Sequence, residues 1–278
     1  MSEHPDLGRI GVWTSGAPTP ELARGLDELG YGAIWIGGSP GGDLEGVERT
    51  LAATSRLTVA TGIVNIWKDD PAIIAASYHR IAAAYPRRFL LGVGAGHPEA
   101  TSRYTKPYDA LVAYLDGLDE GGVPKSQRAL AALGPKVLRL AADRTAGAHP
   151  YLVTPEHTGQ ARELLGENVL LAPEQHVVLD TDLDSARTLA RKALSYYLNL
   201  TNYTNNWRRL GFTEEDLAGS GSDRLIDGLI ALGSPDQIAS RITAHLDAGA
   251  DHVCIQLIAP QGTDLLPGFT ELAKVLIA

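Results

Sequence analysis

Short apolar segments alternate with longer amphipathic segments along the whole of this 278-residue chain. The apolar segments carry hydrophobic residues on both faces, which predicts strands of a parallel sheet covered by helices. The amphipathic segments begin at pairs such as Thr19–Pro20 and Asp70–Pro71, which are favourable N-cap and first-turn residues for a helix. Repeated strand–helix pairs at this chain length fit a closed barrel better than an open sheet. The sequence therefore predicts an α/β fold, a (β/α)8 TIM barrel.

The predicted strands are bounded by glycine, proline and helix-start signals. The fifth predicted strand, 127–134, also matches the beginning of a helix, so the sequence leaves a strand and a helix as alternatives there. The whole chain, 1–278, is predicted as one domain, with a helical insertion near 199–230, a further helix in 101–119 and another in 234–250. The predicted strands are 9–13, 32–38, 56–66, 88–96, 127–134, 148–153, 168–180 and 251–258.

Charge and cysteine content exclude several classes of protein. The formal net charge is −9, from 24 basic and 33 acidic residues, which argues against nucleic acids and anionic membranes as partners. Cys254 is the only cysteine, so neither an intramolecular disulfide nor a four-thiolate zinc site can form. The N-terminus lacks the pattern of a secretion signal, and no run approaches the roughly 18 apolar residues of a membrane span. We therefore expect a cytoplasmic protein. We also expect no metal site, because no histidine–carboxylate group has the spacing of metal ligands.

Small residues follow several predicted strands at the end of the barrel where active sites lie. Gly37 and Gly38 follow the second strand, and Gly94 and Gly96 end the fourth. Bare backbone of this kind allows a broad, flat ligand to approach closely. The two later glycines are not a dinucleotide fingerprint, because Glu99 stands where the third glycine would be. The residues alone leave a tight turn and a cofactor floor as equal alternatives.

A second feature of this rim is the helix that begins after the fifth strand. Gly134 and Pro135 open it, and Lys136 follows in its first turn. The first N–H groups of a helix attract anions, and a lysine adds a positive charge. The alternative is an ordinary helix start with a solvated lysine.

Two side chains are candidates for acid–base chemistry. His97 directly follows the glycines at the rim, where it can donate or accept a proton. Glu174 is the second candidate, and strand alternation places it on the same side as His176. The alternatives are a loop histidine bound to backbone and a structural glutamate. The aromatic and amide residues of 196–207 either line a substrate pocket or pack over the barrel.

Four segments resemble, in order and spacing, the bacterial luciferase-like superfamily, and most closely its branch that uses coenzyme F420, a deazaflavin. The resemblance implies hydride transfer between F420 and a small organic substrate, and a homodimer. FMN-dependent monooxygenases share the same barrel, so an FMN enzyme is one alternative, and a non-catalytic carrier of either cofactor is another. The segments are "TGIVNIWKDDPAIIAAS" (61–77), "RFLLGVGAGHPE" (88–99), "ALGPKVLRLAADRTAGAHPYLVTPEHT" (132–158) and "GSPDQIASRITAHLDAGADHVCIQ" (233–256).

The resemblance also implies site residues. Members of the superfamily have a bulge after the third strand with a non-proline cis peptide that supports the cofactor ring, and the matching pair is Gly62–Ile63. The helix start at Gly134 matches the phosphate site. The residues expected at the cofactor are Gly62, Ile63, Asn65, Gly94, Gly96, Ala131, Ala132, Gly134, Pro135, Lys136 and Thr154. Trp13 and Ser39 are expected at the ring or the substrate.

One departure from the family bears on the substrate. Sugar-phosphate dehydrogenases of this branch carry a histidine just after the second strand and an acid after the glycines of the fourth. Here the first loop is "GGSPGGD" (37–43), without histidine, and His97 stands at the second position. Oxidation of a sugar phosphate is therefore not expected.

Overall fold

The computed structural model describes residues 4–97 and 106–277, so Glu99 and the first part of the predicted helix 101–119 lie outside it. Strands and helices alternate over the described residues, as the sequence predicts. The strands are β1 Ile10–Thr14, β2 Ala33–Ile36, β3 Thr58–Thr61, β4 Val64–Asn65, β5 Phe89–Gly94, β6 Arg128–Leu130, β7 Gly147–Ala148, β8 Leu170–Leu171, β9 Glu174–Val178, β10 Ile230–Leu232 and β11 Val253–Leu257. The helices are α1 Pro20–Glu28, α2 Glu45–Ala53, α3 Pro71–Ala84, α4 Pro107–Glu120, α5 Pro135–Arg144, α6 Pro155–Leu165, α7 Leu183–Leu194, α8 Thr201–Arg209, α9 Glu214–Leu217, α10 Asp223–Leu229, α11 Pro235–Asp247 and α12 Leu266–Leu276.

The parallel sheet closes on itself. Neighbouring strands pair in the order β9, β11, β1, β2, β3, β5, β6, β7, β8. The two ends of this order, β8 and β9, are parts of one continuous segment, 170–178. Within it, the amides of Ala172 and Glu174 donate to the carbonyls of Ala148 and Pro150, which continues the pairing beyond β7. The barrel predicted from the sequence is confirmed.

Two predicted strands are divided and one observed strand was missed. The predicted segment 168–180 forms β8 and β9, and 56–66 is split into β3 and β4 by a bulge. The missed strand, β10, pairs with β9 and begins at Ile230, the last residue of the segment predicted as a helical insertion, 199–230. It follows α10 without a glycine or proline between them, so local sequence carries no boundary signal. The ambiguous fifth segment is a strand, β6, at Arg128–Leu130.

The barrel interior beneath the carboxyl ends of the strands is filled by aromatic and imidazole rings. Trp35 is fully buried there, and its Nε1–H donates to Nε2 of His252 at 3.0 Å. The other nitrogen of His252 lies 2.9 Å from the Gly8 carbonyl. Cys254 is also fully buried in this layer, as expected for a small packing residue. This polar but satisfied layer forms the base on which the candidate site rests.

Helices α8, α9 and α10 occupy most of the segment 199–230, and α8 lies over part of the carboxyl end of the barrel. Trp207 of α8 is fully buried, and its Nε1–H donates to the carbonyl of Leu152 in the loop after β7 at 3.1 Å. This contact holds α8 against the rim, where Asn202, Tyr203, Asn205 and Arg209 of this helix face the pocket. Within 4–97 and 106–277, no helix is long and apolar enough to cross a bilayer.

Candidate active site

A cavity of about 710 Å³ lies at the carboxyl ends of the strands, which is the position of active sites in barrels of this type and a typical size for a ligand pocket. Its walls come from the loops after β1, β2, β5, β6 and β7, from the bulge between β3 and β4, and from helices α4, α5 and α8. In the described part of the chain, no group of three or more His, Cys, Asp or Glu side chains could hold a metal.

Most of the residues predicted from the sequence line this cavity. Four do not. Gly94 is packed within the sheet, Pro135 is the first residue of α5, Thr154 is the N-cap of α6, and Glu174 is buried behind the wall. The predicted residues on the wall are Trp13, Ser39, Gly62, Ile63, Asn65, Gly96, His97, Ala131, Ala132, Gly134 and Lys136.

The bulge after β3 has the geometry that the resemblance implies, because the Gly62–Ile63 peptide bond is cis. The neighbouring β5 has no side chain where it passes this bulge. A Cβ on Gly94 would lie 2.9 Å from the Cβ of Ala131 and 3.1 Å from Cγ1 of Ile63, closer than such atoms normally approach. Because Gly94 has no side chain, it leaves room for Ile63 on the wall, although Gly94 does not line the cavity itself.

Gly96 reaches the wall through an unusual backbone conformation. Its φ is +60°, in the left-handed region that glycine adopts at little cost. A Cβ there would also lie 2.7 Å from Nδ2 of Asn65. Asn65 in turn accepts the amide of Trp67 at 3.0 Å, and Trp67 Nε1–H donates to the Ala95 carbonyl at 2.7 Å. The loop after β5 and the bulge after β3 are thus tied together at the cavity.

One end of the cavity is positively charged. Helix α5 begins at Gly134, which has no capping side chain. Lys136 of its first turn lies over the Tyr108 ring, with Nζ 3.7 Å from the ring centre. Arg209 of α8 reaches the same point, where its Nη2 donates to Oδ1 of Asn206 at 2.9 Å. No carboxylate lines the cavity in the described part of the chain. This end is built to hold an anion.

Arg209 was not predicted from the sequence. Desolvation lowers the pKa of its guanidinium, which stays cationic because arginine does not deprotonate in proteins. The only local signal was a basic pair, Arg208–Arg209, after a run of amides. Nothing local distinguishes the two arginines, although Arg208 points to Glu214 and Arg209 to the cavity.

His97 lies on the wall beneath the aromatic residues of the 196–207 segment. Its Nδ1 is 3.3 Å from Nδ2 of Asn202, and its ring centre is 5.4 Å from that of Tyr203 and 6.3 Å from that of Tyr196. Asn202 therefore contacts the ring of His97 from the 196–207 segment. The 196–207 segment therefore both packs over the barrel and lines the pocket.

Glu174 and His176 form a buried pair behind the wall. Oε1 of Glu174 is 2.6 Å from Nδ1 of His176, and Oε2 accepts the amide of Leu152 at 3.2 Å. Tyr151 separates the pair from the cavity, with its ring centre 5.4 Å from that of His176. The two side chains lie on one side of β9, as strand alternation predicts. That side faces the barrel interior, where Glu174 has no contact with the cavity.

Two tyrosine hydroxyls on the wall are hydrogen bonded to each other. The Tyr151 and Tyr197 oxygens are 2.9 Å apart, and the Tyr151 hydroxyl also donates to Oε1 of Gln256 at 2.8 Å. Burial raises the pKa of Tyr197 to about 12 and raises the pKa of Tyr151 well above its ordinary value. Both hydroxyls are therefore protonated at neutral pH and act as hydrogen-bond donors. Sequence reasoning did not single out either residue.

His149 is a second wall residue that the sequence did not identify. It follows β7 directly and stacks on Trp35, with ring centres 4.0 Å apart and planes 12° apart. Its Nδ1 lies 2.7 Å from the carbonyl of Ala172. Burial lowers its pKa to about 4, so the ring is neutral at neutral pH. Its place inside a predicted strand, 148–153, concealed that it stands at the rim.

Part of the chain matches a known family model, and known proteins resemble the chain in sequence and fold. Residues 6–116 match the family model for luciferase-like monooxygenases. A curated relative, F420-dependent glucose-6-phosphate dehydrogenase 1 of Rhodococcus jostii (strain RHA1), is 25% identical over 254 residues, or 72% of this chain and 73% of the relative.

Solved structures share the barrel over nearly its full length. An F420-dependent secondary alcohol dehydrogenase in complex with an F420–acetone adduct superposes with a TM-score of 0.74 at 15% identity, covering 97% of this chain and 99% of the other. The oxygenating constituent of 3,6-diketocamphane monooxygenase from the CAM plasmid of Pseudomonas putida, in complex with FMN, has a TM-score of 0.68 at 16% identity, covering 96% of each chain.

Proposed function

We propose that this chain, which has the luciferase-like fold and that family's sequence signature over residues 6–116, transfers a hydride between coenzyme F420 and a small organic substrate. The family-model match and the shared fold confirm the resemblance to the superfamily that the sequence predicts. The observation that carries the proposal is the cavity itself. It joins a floor of small residues to a cationic end with no facing carboxylate in the described part of the chain.

The floor fits a planar ring. Gly62, Gly96, Ala131 and Ala132 present backbone or a single methyl group to the cavity, and Ile63 supplies the one larger apolar contact among these five residues. A flat aromatic system can lie against such a surface over its whole area, because few side chains hold it off. The wall residues predicted for cofactor contact are therefore proposed to bind the ring and its tail.

The cationic end fits a phosphate. The N-terminus of α5 has no capping side chain, and Lys136 and Arg209 add two charges from different elements. Anions bind at such helix ends because the N–H groups and the helix dipole point at them. Pro135 has no N–H to offer and sets the first turn of the helix instead. Thr154, off the wall, is proposed to fix the start of α6 beside this site.

When bound, a deazaflavin supplies a carbon centre that exchanges a hydride, with two electrons moving together. The residues of this chain would hold the ring in place, exclude water and manage one proton. His97 is proposed to carry that proton, because its ring lies on the cavity wall and Asn202 contacts it from the opposite segment. Glu174 is proposed to position Tyr151 rather than to transfer a proton, because it lies behind that residue.

The substrate side of the cavity is aromatic. Tyr196, Tyr197 and Tyr203 form it, and Ser39 adds a small polar contact. Trp13, expected at the ring or the substrate, lines the cavity beside Gly62. Such a lining favours a small, uncharged substrate with one or two polar atoms. Sugar phosphates, the substrate named for the Rhodococcus relative, are not proposed, because the loop 37–43 has no histidine.

Binding and redox spectra test the proposal. Purified protein is titrated anaerobically with F420 and with FMN, and binding is followed by fluorescence and absorption. We expect F420 to bind in the micromolar range or below, and the loaded protein to reduce or oxidise F420 with members of a panel of alcohols, aldehydes and alkenes. Tight binding of FMN alone, with oxygen consumption by the reduced protein, would instead identify an FMN monooxygenase, the class of the diketocamphane structure. Tight binding without turnover would identify a carrier.

Two further expectations remain proposals. The homodimer implied by the resemblance is tested by light scattering of the purified chain. The cytoplasmic location is tested by fractionation of the producing cells, with the redox state of Cys254 as a second readout. The thiol of Cys254 is fully buried, which supports a packing role for this residue whether the chain is a monomer or a homodimer.

A further inference from the structure

Two buried nitrogen atoms at the floor of the cavity have no hydrogen-bond partner among the described residues: Nε1 of Trp13 and Nε2 of His149. Both residues line the cavity, and they are only 8% and 2% exposed. Both atoms converge on Gly62, because a Cβ on that glycine would lie 2.8 Å from the first and 3.2 Å from the second. Buried polar atoms are almost always paired in folded proteins, so two unpaired atoms at one point indicate that a ligand pairs with them.

The two atoms have opposite hydrogen-bonding roles. The indole N–H of Trp13 can only donate. Nδ1 of His149 lies 2.7 Å from the Ala172 carbonyl, which can only accept, so Nδ1 carries the proton of this neutral ring. Nε2 therefore presents a lone pair and can only accept. The parallel stacking of His149 on Trp35 holds the ring, and with it the lone pair, in this orientation.

We infer that Trp13 and His149 together recognise a C=O and an adjacent N–H on the edge of the redox ring. The indole N–H donates to the ring carbonyl, and the ring N–H donates to Nε2 of His149. This inference rests on the proposed function. Flavin and deazaflavin rings both carry a pyrimidinedione in which an N–H lies between two carbonyls, so the donor–acceptor pair matches that edge in either case.

The position of the pair favours the ring over the substrate. The pair flanks Gly62, the first residue of the bulge on which the ring is proposed to rest. The aromatic residues proposed for the substrate side, Tyr196 and Tyr203, come from the segment that includes α8 instead. A substrate hydroxyl also combines an acceptor with a donor, so the experiment below must separate the two ligands.

Ring analogues provide the first test and need no variant. The wild-type protein is titrated with the deazaflavin riboside of F420 and with riboflavin, and each is compared with its 3-methyl derivative, which lacks the ring N–H. We expect the 3-methyl rings to bind about tenfold more weakly, the typical loss of one buried hydrogen bond. Equal affinity for the parent and methylated rings would overturn the inference.

Two variants then assign the atoms. His149→Phe keeps the aromatic stack on Trp35 and removes the acceptor, so it should bind the parent rings about tenfold more weakly and lose its preference over the 3-methyl rings. Trp13→Phe removes the donor, so it should weaken binding by a similar factor and keep that preference. His79→Phe is the matched control for the histidine substitution, because His79 lies on α3 and its Nε2 contacts the Gly121 carbonyl, outside the cavity.

The possible failures are distinguishable. Wild-type protein that binds neither ring contradicts the proposed function and the inference together. Normal ring binding in both variants, with a raised KM for the substrate, would place the substrate at this pair and overturn the inference alone. Should either variant fail to fold, the comparison of methylated and parent rings on the wild-type protein decides the question.

Discussion

The guanidinium of Arg209 lies against the N-cap residue of helix α5: its Nη2 is 3.6 Å from the position that a Cβ on Gly134 would occupy. These two residues are far apart in sequence and belong to different layers of the fold. Their proximity converts an uncapped helix start into a site with a second cation beside Lys136. The affinity of this site for a phosphate-bearing ligand can be measured directly by titration.

Replacing Arg209 should weaken the binding of phosphate-bearing ligands selectively. We expect Arg209→Gln to lower the affinity for FMN or F420 by about 10- to 100-fold, the range for one charged hydrogen bond, and to leave riboside affinity nearly unchanged. Titrations with the phosphorylated and unphosphorylated ligands measure the difference. Arg208→Gln is the control, because Arg208 pairs with Glu214 outside the cavity. Equal losses for both ligand types would argue against a phosphate at this end.

A methyl group on Gly94 should disturb the cavity from behind its wall. The added Cβ would lie 2.9 Å from Ala131 and 3.1 Å from Ile63, so the wall must shift or the strand must bend. We expect Gly94→Ala to lower the free energy of unfolding by about 1–3 kcal/mol and to weaken ring binding. Denaturant unfolding and ring titration measure these two effects.

Gly159→Ala is the matched control for this substitution. A Cβ there, within α6, would meet nothing within 4 Å. This change should stabilise the protein by up to about 1 kcal/mol, because alanine favours a helix. Unchanged stability and binding in Gly94→Ala would contradict the tight packing at β5.

Removal of the His97 side chain should reduce turnover without releasing the cofactor. If His97 carries the proton, His97→Ala should lower kcat by about 10²–10⁴-fold and remove one ionisation from the pH profile. Its cofactor Kd should change little. His79→Ala is the control, because His79 is exposed on α3 and contacts only the Gly121 carbonyl among its hydrogen-bond partners in the described structure. An unaltered kcat would exclude His97 as the acid–base residue.

Acid should destabilise the fold through three buried neutral histidines. Burial lowers the pKa of His149 and His252 to about 4 and that of His245 to about 3, from an ordinary value of 6.5. Below pH 6.5 these rings therefore bind protons in the unfolded chain, whereas in the folded chain they bind protons only near pH 4 and below. Stability is complete above pH 6.5 and falls as pH decreases, by up to about 1.4 kcal/mol per pH unit for each histidine.

Denaturant unfolding between pH 7.5 and 5 checks this slope. His245→Gln should reduce it by about one histidine's share, because Nδ1 and Nε2 of His245 contact only Thr158 and Gln175 in the described structure. The same change at exposed His79 should leave the slope unaltered. A pH-independent free energy of unfolding over this range would show that these rings are protonated in the folded state.

The candidate site was predictable where local pattern carries the information. The glycines at 94 and 96 and the helix start at Gly134 are each recognisable from a few consecutive residues, whereas the bulge at Gly62 was expected only from the family resemblance. Arg209 was not predictable, because its place at Gly134 depends on how α8 packs against the rim. The contact between Trp207 and Leu152 holds that helix in place, and no local sequence signal announces it.

The same division applies to individual side chains. Strand alternation correctly put Glu174 and His176 on one face of β9, but it could not say that Tyr151 would stand between them and the cavity. His149 looked like a residue within a strand, yet β7 ends at Ala148 and leaves it at the rim. The strand β10 escaped notice because its pairing with β9 is a contact between distant parts of the chain.

The alternation of apolar and amphipathic segments by itself determined the barrel, because the burial of each segment follows from the period of its own side chains. It likewise determined which end of the barrel would carry small residues. Only the tertiary structure decided which side chains would face the cavity, which charge would complete the anion site and which nitrogen atoms would be left unpaired. Those outcomes depend on contacts between segments that are distant in the chain. The periodicity of one segment carries no information about which segments will pack against it.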